Sequence, residues 1–265
     1  MMKSLRVCAQ FLYRDLYVFS SDILFYLSNY ACIYPLCYML TFAYLMPETV
    51  MANTEAKELF VLTMLSGNLA FLMINMAWKL VSPLLYDMES GKVIQFQMMH
   101  LHPYAVLFEH VLFFTCFSFC FLAPFFAVGK IALGDLLDIS HINWPALLLM
   151  TLLGCLFTIT YCLCAVMIMK SSKQTGSFWV RFTIPLTIMG GFWVPWHTVN
   201  TLSPLLGRIL LANPFVYATE GIRHAVTGSD TYFSIPLCAT MLVIISLAFF
   251  TGACWFMRKK LDPVV

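Results

Sequence analysis

The chain has 265 residues, 61% of them hydrophobic and 11% charged, with a mean hydropathy of +0.84. Soluble globular domains do not reach that balance, so the composition points to a membrane protein. A formal net charge of +2 provides no broad basic surface, and no nucleic-acid partner is expected.

The first segment, MMKSLRVCAQFLYRDLYVF, has no compact apolar core followed by a small-residue cleavage site, so a removed signal peptide is not expected. Wound as a helix, it places Leu5, Cys8, Leu12, Leu16 and Phe19 on one face and Arg6, Gln10 and Arg14 on another. That pattern predicts an interfacial helix over 1–22 on the cytoplasmic leaflet, the other reading being a ragged start to the first span.

Six apolar runs follow, at 23–46, 58–78, 104–128, 144–169, 178–196 and 234–257. Each approaches the roughly 20 residues with which a helix crosses about 30 Å of hydrocarbon. None alternates polar and apolar in the manner of a barrel strand, so the predicted fold class is all-α integral membrane, with six transmembrane helices in a single domain over 1–265. With a cytoplasmic N-terminus, Lys3, Arg6, Arg14, Lys79, Lys92, Lys170, Lys173, Arg181, Arg258, Lys259 and Lys260 fall inside. Lys57, Lys130, Arg208 and Arg223 fall outside, so both termini are expected in the cytoplasm. Nine of the ten cysteines lie in expected spans and Cys8 on the first helix, which argues against a disulfide framework.

Two connections carry functional signals. The cytoplasmic one, 79–103, holds Asp87, Glu89 and Gly91 ahead of a run with Val93 and Phe96. A short helix there, acidic at its start, suits docking of another protein; a solvated loop is the plainer reading. The second, 197–230, combines a short SPLLGRILL helix with a longer one in which Asn213 caps, Pro214 takes the first position and Gly228 stops the helix. About 14 residues at 1.5 Å each are too few to cross a bilayer, so an extracytoplasmic re-entrant hairpin over a cavity or gate is expected between spans five and six. Phe215, Ala218, Ile222 and Val226 line one face of it, with Tyr217, Glu220, Arg223 and His224 on the other. There Glu220 is in reach of Arg223 and His224.

Within the spans, Asn68, Asn75 and Lys79 share a stripe, which fits interhelical hydrogen bonding or, for Asn75, a path. Glu109 and His110 stand in the first turns of the third span, where an acid lines an inlet or reaches the interface. Gly190 and Gly191, flanked by Pro185 and Pro195 and followed by Phe192, mark a kinked fifth span of a moving or pore-lining kind. Enzyme signatures are missing: there is no G-x-S-x-G, no H-E-x-x-H, and His100-Leu-His102 has no further ligand at metal spacing.

Pro185, Gly190-Gly191-Phe192-Trp193-Val194-Pro195, the stretch Leu211 to Arg223 containing Asn213-Pro214, Tyr217 and Gly221, and then Gly228 resemble the C-terminal signature of the permease subunit of type-2 ABC exporters. Asp87-Met-Glu89-Ser-Gly91 resembles that family's acidic segment before its coupling helix, without the Arg usual there. The resemblance implies half of a translocation path in a bacterial cytoplasmic membrane, completed by a second copy or a homologue. It implies contact with a separate ABC ATPase subunit through Asp87, Glu89, Gly91, Val93 and Phe96. Asn213, Pro214, Tyr217, Glu220, Gly221 and Arg223 would form the gate, and Glu109, Asn75, Gly190, Gly191 and Phe192 are candidate path residues. The chain lacks a G-x-x-x-x-G-K-[ST] loop, so no cofactor is expected on it, and ATP with Mg belongs to the partner. An ATP-independent channel or secondary transporter and a non-transporting scaffold remain the alternatives.

Overall fold

The computed structural model describes residues 2–47, 54–90, 102–134 and 137–261, and among these every regular element is helical. Helix α1 spans Met2–Ser20. Four consecutive helical pieces, Ile23–Tyr26, Leu27–Ile33, Tyr34–Met39 and Leu40–Leu45, make α2. Then come α3 (Thr54–Val81), α4 (Pro83–Ser90), α5 (Pro103–Leu122), α6 (Phe125–Leu133) and α7 (Trp144–Ile168). Thr175–Phe178, Trp179–Thr183 and Ile184–Met189 run on as α8. The last elements are α9 (Trp196–Leu202), α10 (Pro204–Leu210), α11 (Pro214–Thr227) and α12 (Ile235–Leu261).

Among the described residues five helical stretches are long and apolar enough to cross a membrane: Ile23–Phe42, Leu59–Ser90, Tyr104–Leu133, Trp144–Ile168 and Ile235–Lys260. The protein is therefore a multi-pass helical membrane protein. The fifth expected span, 178–196, is not one continuous helix. It is helical only to Met189, and residues 190–195, although apolar, leave the helical path before α9 starts.

Three π-helical stretches, Leu27–Ile33, Leu40–Leu45 and Trp179–Thr183, each end two residues before a proline, namely Pro35, Pro47 and Pro185. A proline ring collides with the carbonyl four residues back and brings no N–H, and one extra residue in the turn relieves that collision.

Helices α3, α7 and α11 form the buried centre, whereas α2 and α12 keep most of their surface exposed. At one end of the bundle the Lys260 ammonium donates to the carbonyls of Val166 and Met169, closing the C-terminus of α7. At the other end Gly221 sits against Met150 and Cys238, so α7 and α12 run parallel. The chain must return between them, and α8 makes most of that return, antiparallel to α3. Trp78 stacks on Phe178 at 6.0 Å, and Phe71 meets Phe192 at 4.7 Å.

Helix α1 lies against α5 through Phe19, whose ring is 5.4 to 5.8 Å from Phe113, Phe114 and Phe117. Its inward face is Phe11, Leu12, Asp15 and Phe19, while Leu16, expected on the apolar face, is exposed. The register is set by Phe19 fitting among the α5 rings, and this turns Asp15 inward.

Candidate functional site

Residues 190–195 leave the helical ladder, and α11 with its cap supplies partners for backbone groups within and beside them. The cap expected at its start is present: Asn213 Oδ1 accepts from the Phe215 N–H at 3.1 Å, Pro214 follows, and Gly228 adopts a left-handed φ of 64° at the stop. Asn213 also reaches outward, its Nδ2 donating to the Leu186 carbonyl at 2.7 Å. That carbonyl is left over because the Gly190 N–H turns instead to Thr187. Thr219 Oγ1 donates to the Gly190 carbonyl at 2.7 Å. Arg223 Nη2 donates to the Phe192 carbonyl at 3.2 Å, and Glu220 Oε1 accepts the Trp196 N–H at 3.0 Å. Four side chains of one helix and its cap thus clamp the break along its whole length, meeting the demand that buried backbone groups be paired.

The charged pair at the centre is fully buried, with both side chains at 0% exposure. Arg223 Nη1 donates to Glu220 Oε1 at 2.9 Å and Nε to the Thr63 carbonyl of α3 at 3.3 Å. Only Glu220 Oε2 lacks a hydrogen bond. Close approach depends on missing side chains. A Cβ on Gly67 would lie 1.9 Å from the Phe192 carbonyl oxygen, and one on Gly190 would lie 2.3 Å from Phe215 Cβ. Gly191 has a φ of 84°, open to glycine at no steric cost.

Tyr217 donates its hydroxyl to the Leu211 carbonyl at 2.8 Å, tying the α10–α11 turn. Gly221 faces Met150 and Cys238. His224 turns away from Glu220, its Nδ1 lying 3.4 Å from the Tyr232 carbonyl. Burial of α11 extends round almost its whole circumference, so its polar residues face neighbouring protein. The hairpin also holds one more helix than the sequence suggested, α9. A half-open apolar pocket of about 210 Å³ lies between the end of α8, the break and α9 to α11, lined by Ile188, Met189, Gly191, Val194, Trp196 and Leu206 among others.

The other candidate residues lie elsewhere. Asn75 donates to the Phe71 carbonyl of its own helix at 2.8 Å. Asp87 and Glu89 sit on α4, and Glu89 accepts from the backbone and hydroxyl of Ser172 at 2.6 and 2.7 Å, joining α4 to the α7–α8 connection. Gly91, Val93 and Phe96 lie outside the described residues.

Glu109 is 3% exposed, beside His110 and Asp15. Asp15 escaped the sequence reading, and its one local signal is the adjacent Arg14, which forms an ion pair with it. By contrast the acid Asp138 is in an exposed turn, where the N–H and hydroxyl of Ser140 hold its carboxyl below the usual range. Comparison with family models, characterised proteins and solved structures gives no match.

Proposed function

We propose that the chain is the membrane-spanning subunit of an ATP-driven exporter, pairing with a second copy or a homologue and resting on a separate ATPase subunit. The observation that carries this reading is the clamped break after α8. A helix interrupted within an apolar run and held in place by a short buried helix is what a path-forming element with two arrangements requires. The apolar cavity beside the break favours a hydrophobic or amphiphilic cargo, such as a lipid or glycolipid, over a charged one. Gly190, Gly191 and Phe192 line the path in this reading, and α9 to α11 form its outer gate.

Coupling would enter at the opposite end. There α4 carries Asp87 and Glu89, and the Glu89–Ser172 link connects it to the start of α8. Displacement of α4 by a closing ATPase would thus reach the broken helix directly.

The test is purification from native membranes in mild detergent, followed by reconstitution into liposomes. A stoichiometric partner carrying a G-x-x-x-x-G-K-[ST] loop, and cargo movement that requires ATP, are expected. A monomer without a nucleotide-hydrolysing subunit, or transport indifferent to ATP, overturns the proposal.

A further inference from the structure

A second buried polar cluster lies where α1 crosses the start of α5. Asp15, Glu109 and His110 are 4%, 3% and 4% exposed. His110 Nδ1 is 3.6 Å from Asp15 Oδ2 and 3.5 Å from Glu109 Oε2. Neither separation is a hydrogen bond, and with both carboxyls ionised Asp15 Oδ2, both Glu109 oxygens and both His110 nitrogens make none. Buried polar atoms are paired as a rule, so five unmet donor and acceptor sites in one cluster call for a ligand. Asp15 and His110 open onto a cavity of about 380 Å³, whose wall also holds Arg14, Leu84 and Asp87.

We propose that this cluster binds a divalent transition-metal ion of the zinc class through Asp15, Glu109 and His110. Three arguments converge. The chosen ligand atoms all lie within 4.8 Å of one another, and the 3.5 and 3.6 Å edges suit tetrahedral coordination, for which bonds of about 2.1 Å give edges of about 3.4 Å. One imidazole with two carboxylates suits zinc, iron or cobalt better than magnesium or calcium, which favour all-oxygen shells. Finally, among the described residues Asp15, Asp87 and Glu109 gather round one guanidinium, Arg14, and a dication would supply the positive charge these carboxyl groups need once their protons are displaced. Arg14 Nε donates to Asp15 Oδ1 at 2.9 Å and so leaves Oδ2 directed at His110. The fourth coordination position would be left to water from the cavity. A bound ion would fasten α1 to α5 beside α4. The inference does not depend on the exporter reading.

The experiment uses the full-length protein in detergent, without a histidine tag, stripped with chelator and given one equivalent of Zn²⁺ or Co²⁺. One ion per chain is expected by elemental analysis after desalting. The Co²⁺ form should show visible ligand-field bands, and X-ray absorption should show one imidazole in a nitrogen/oxygen shell. Glu109→Gln and His110→Ala should each retain less than a tenth of the metal, while H141A, altered at an exposed histidine, retains all of it. The wild-type spectra do not rely on any variant folding. No stoichiometric metal on the wild type, as for a cluster that only shares a proton, or full retention by E109Q and H110A, overturns the proposal.

Discussion

The two polar clusters are both buried and both contain acids, and they differ in how their charges are met. In the Glu220–Arg223 cluster every guanidinium nitrogen has a protein acceptor, drawn from α3, α11 and the break after α8. In the Asp15–Glu109–His110 cluster the acids and the imidazole stand 3.5 to 3.6 Å apart with their inward atoms unbonded. A buried charge that the chain itself satisfies is a joint, because removing either side leaves the other stranded. A buried charge that the chain leaves unmet is a socket, because removing it takes away an unfavourable group along with a ligand.

The largest expected effect comes from breaking the joint. Arg223→Met leaves Glu220 buried at 0% exposure with no countercharge, removes the donor to the Phe192 carbonyl and takes an additional donor from the Thr63 carbonyl. A destabilisation of about 3–5 kcal/mol is expected, the range for removing one partner of a buried ion pair. Reversible unfolding in mixed micelles measures it, with yield of monodisperse protein as a second readout. A loss below about 1 kcal/mol would show that the pair is not what holds the break.

A smaller loss is expected where the joint is a matter of space. Gly67→Ala places a methyl 1.9 Å from the Phe192 oxygen, and the atom in the way is backbone that cannot swing aside. Overpacking of this kind costs about 1–3 kcal/mol. Gly176→Ala is the matched control, since nothing lies within 4 Å of the added methyl and it sits in a helical turn. Alanine there should be neutral or mildly stabilising. Equal losses at both positions would mean that close approach of α3 to the break is unimportant.

How much of this was legible depends on how local each signal is. Asn213, Pro214 and Gly228 set the ends of α11 through chemistry within a few residues, and those ends stand as expected. The positions of apolar runs likewise gave the five long helices. An interruption near Gly190 and Gly191 was legible as a kink, but not that α8 ends there, because Gly190 to Pro195 stays as apolar as the helix before it. Its departure is fixed by Thr219 and Arg223, which arrive from about 30 residues further on. The polar face of α11 was visible too, but hydrophobic periodicity alone does not tell a face turned to water from one met by protein, and here protein meets it. The socket was the least visible. Glu109 and His110 stood out within an apolar span, yet their third member, Asp15, lies 94 positions earlier on a helix whose register is set by Phe19. The local pair His100-Leu-His102 could not stand in for it.

The smallest expected effect, and the one that separates socket from joint by sign, is at Glu109. In metal-free protein Glu109→Gln removes a buried carboxylate that makes no hydrogen bond, so the variant should match or exceed the wild type, within about 1 kcal/mol. Adding Zn²⁺ should reverse the order. Wild type gains the binding free energy, about 2.7 kcal/mol when the free ion stands at a hundred times its Kd, and the variant gains almost none. Unfolding curves of both proteins with chelator and with zinc give the four numbers. If E109Q is destabilised by several kcal/mol even with chelator, Glu109 is held by the protein as Glu220 is, and the contrast between the two clusters disappears.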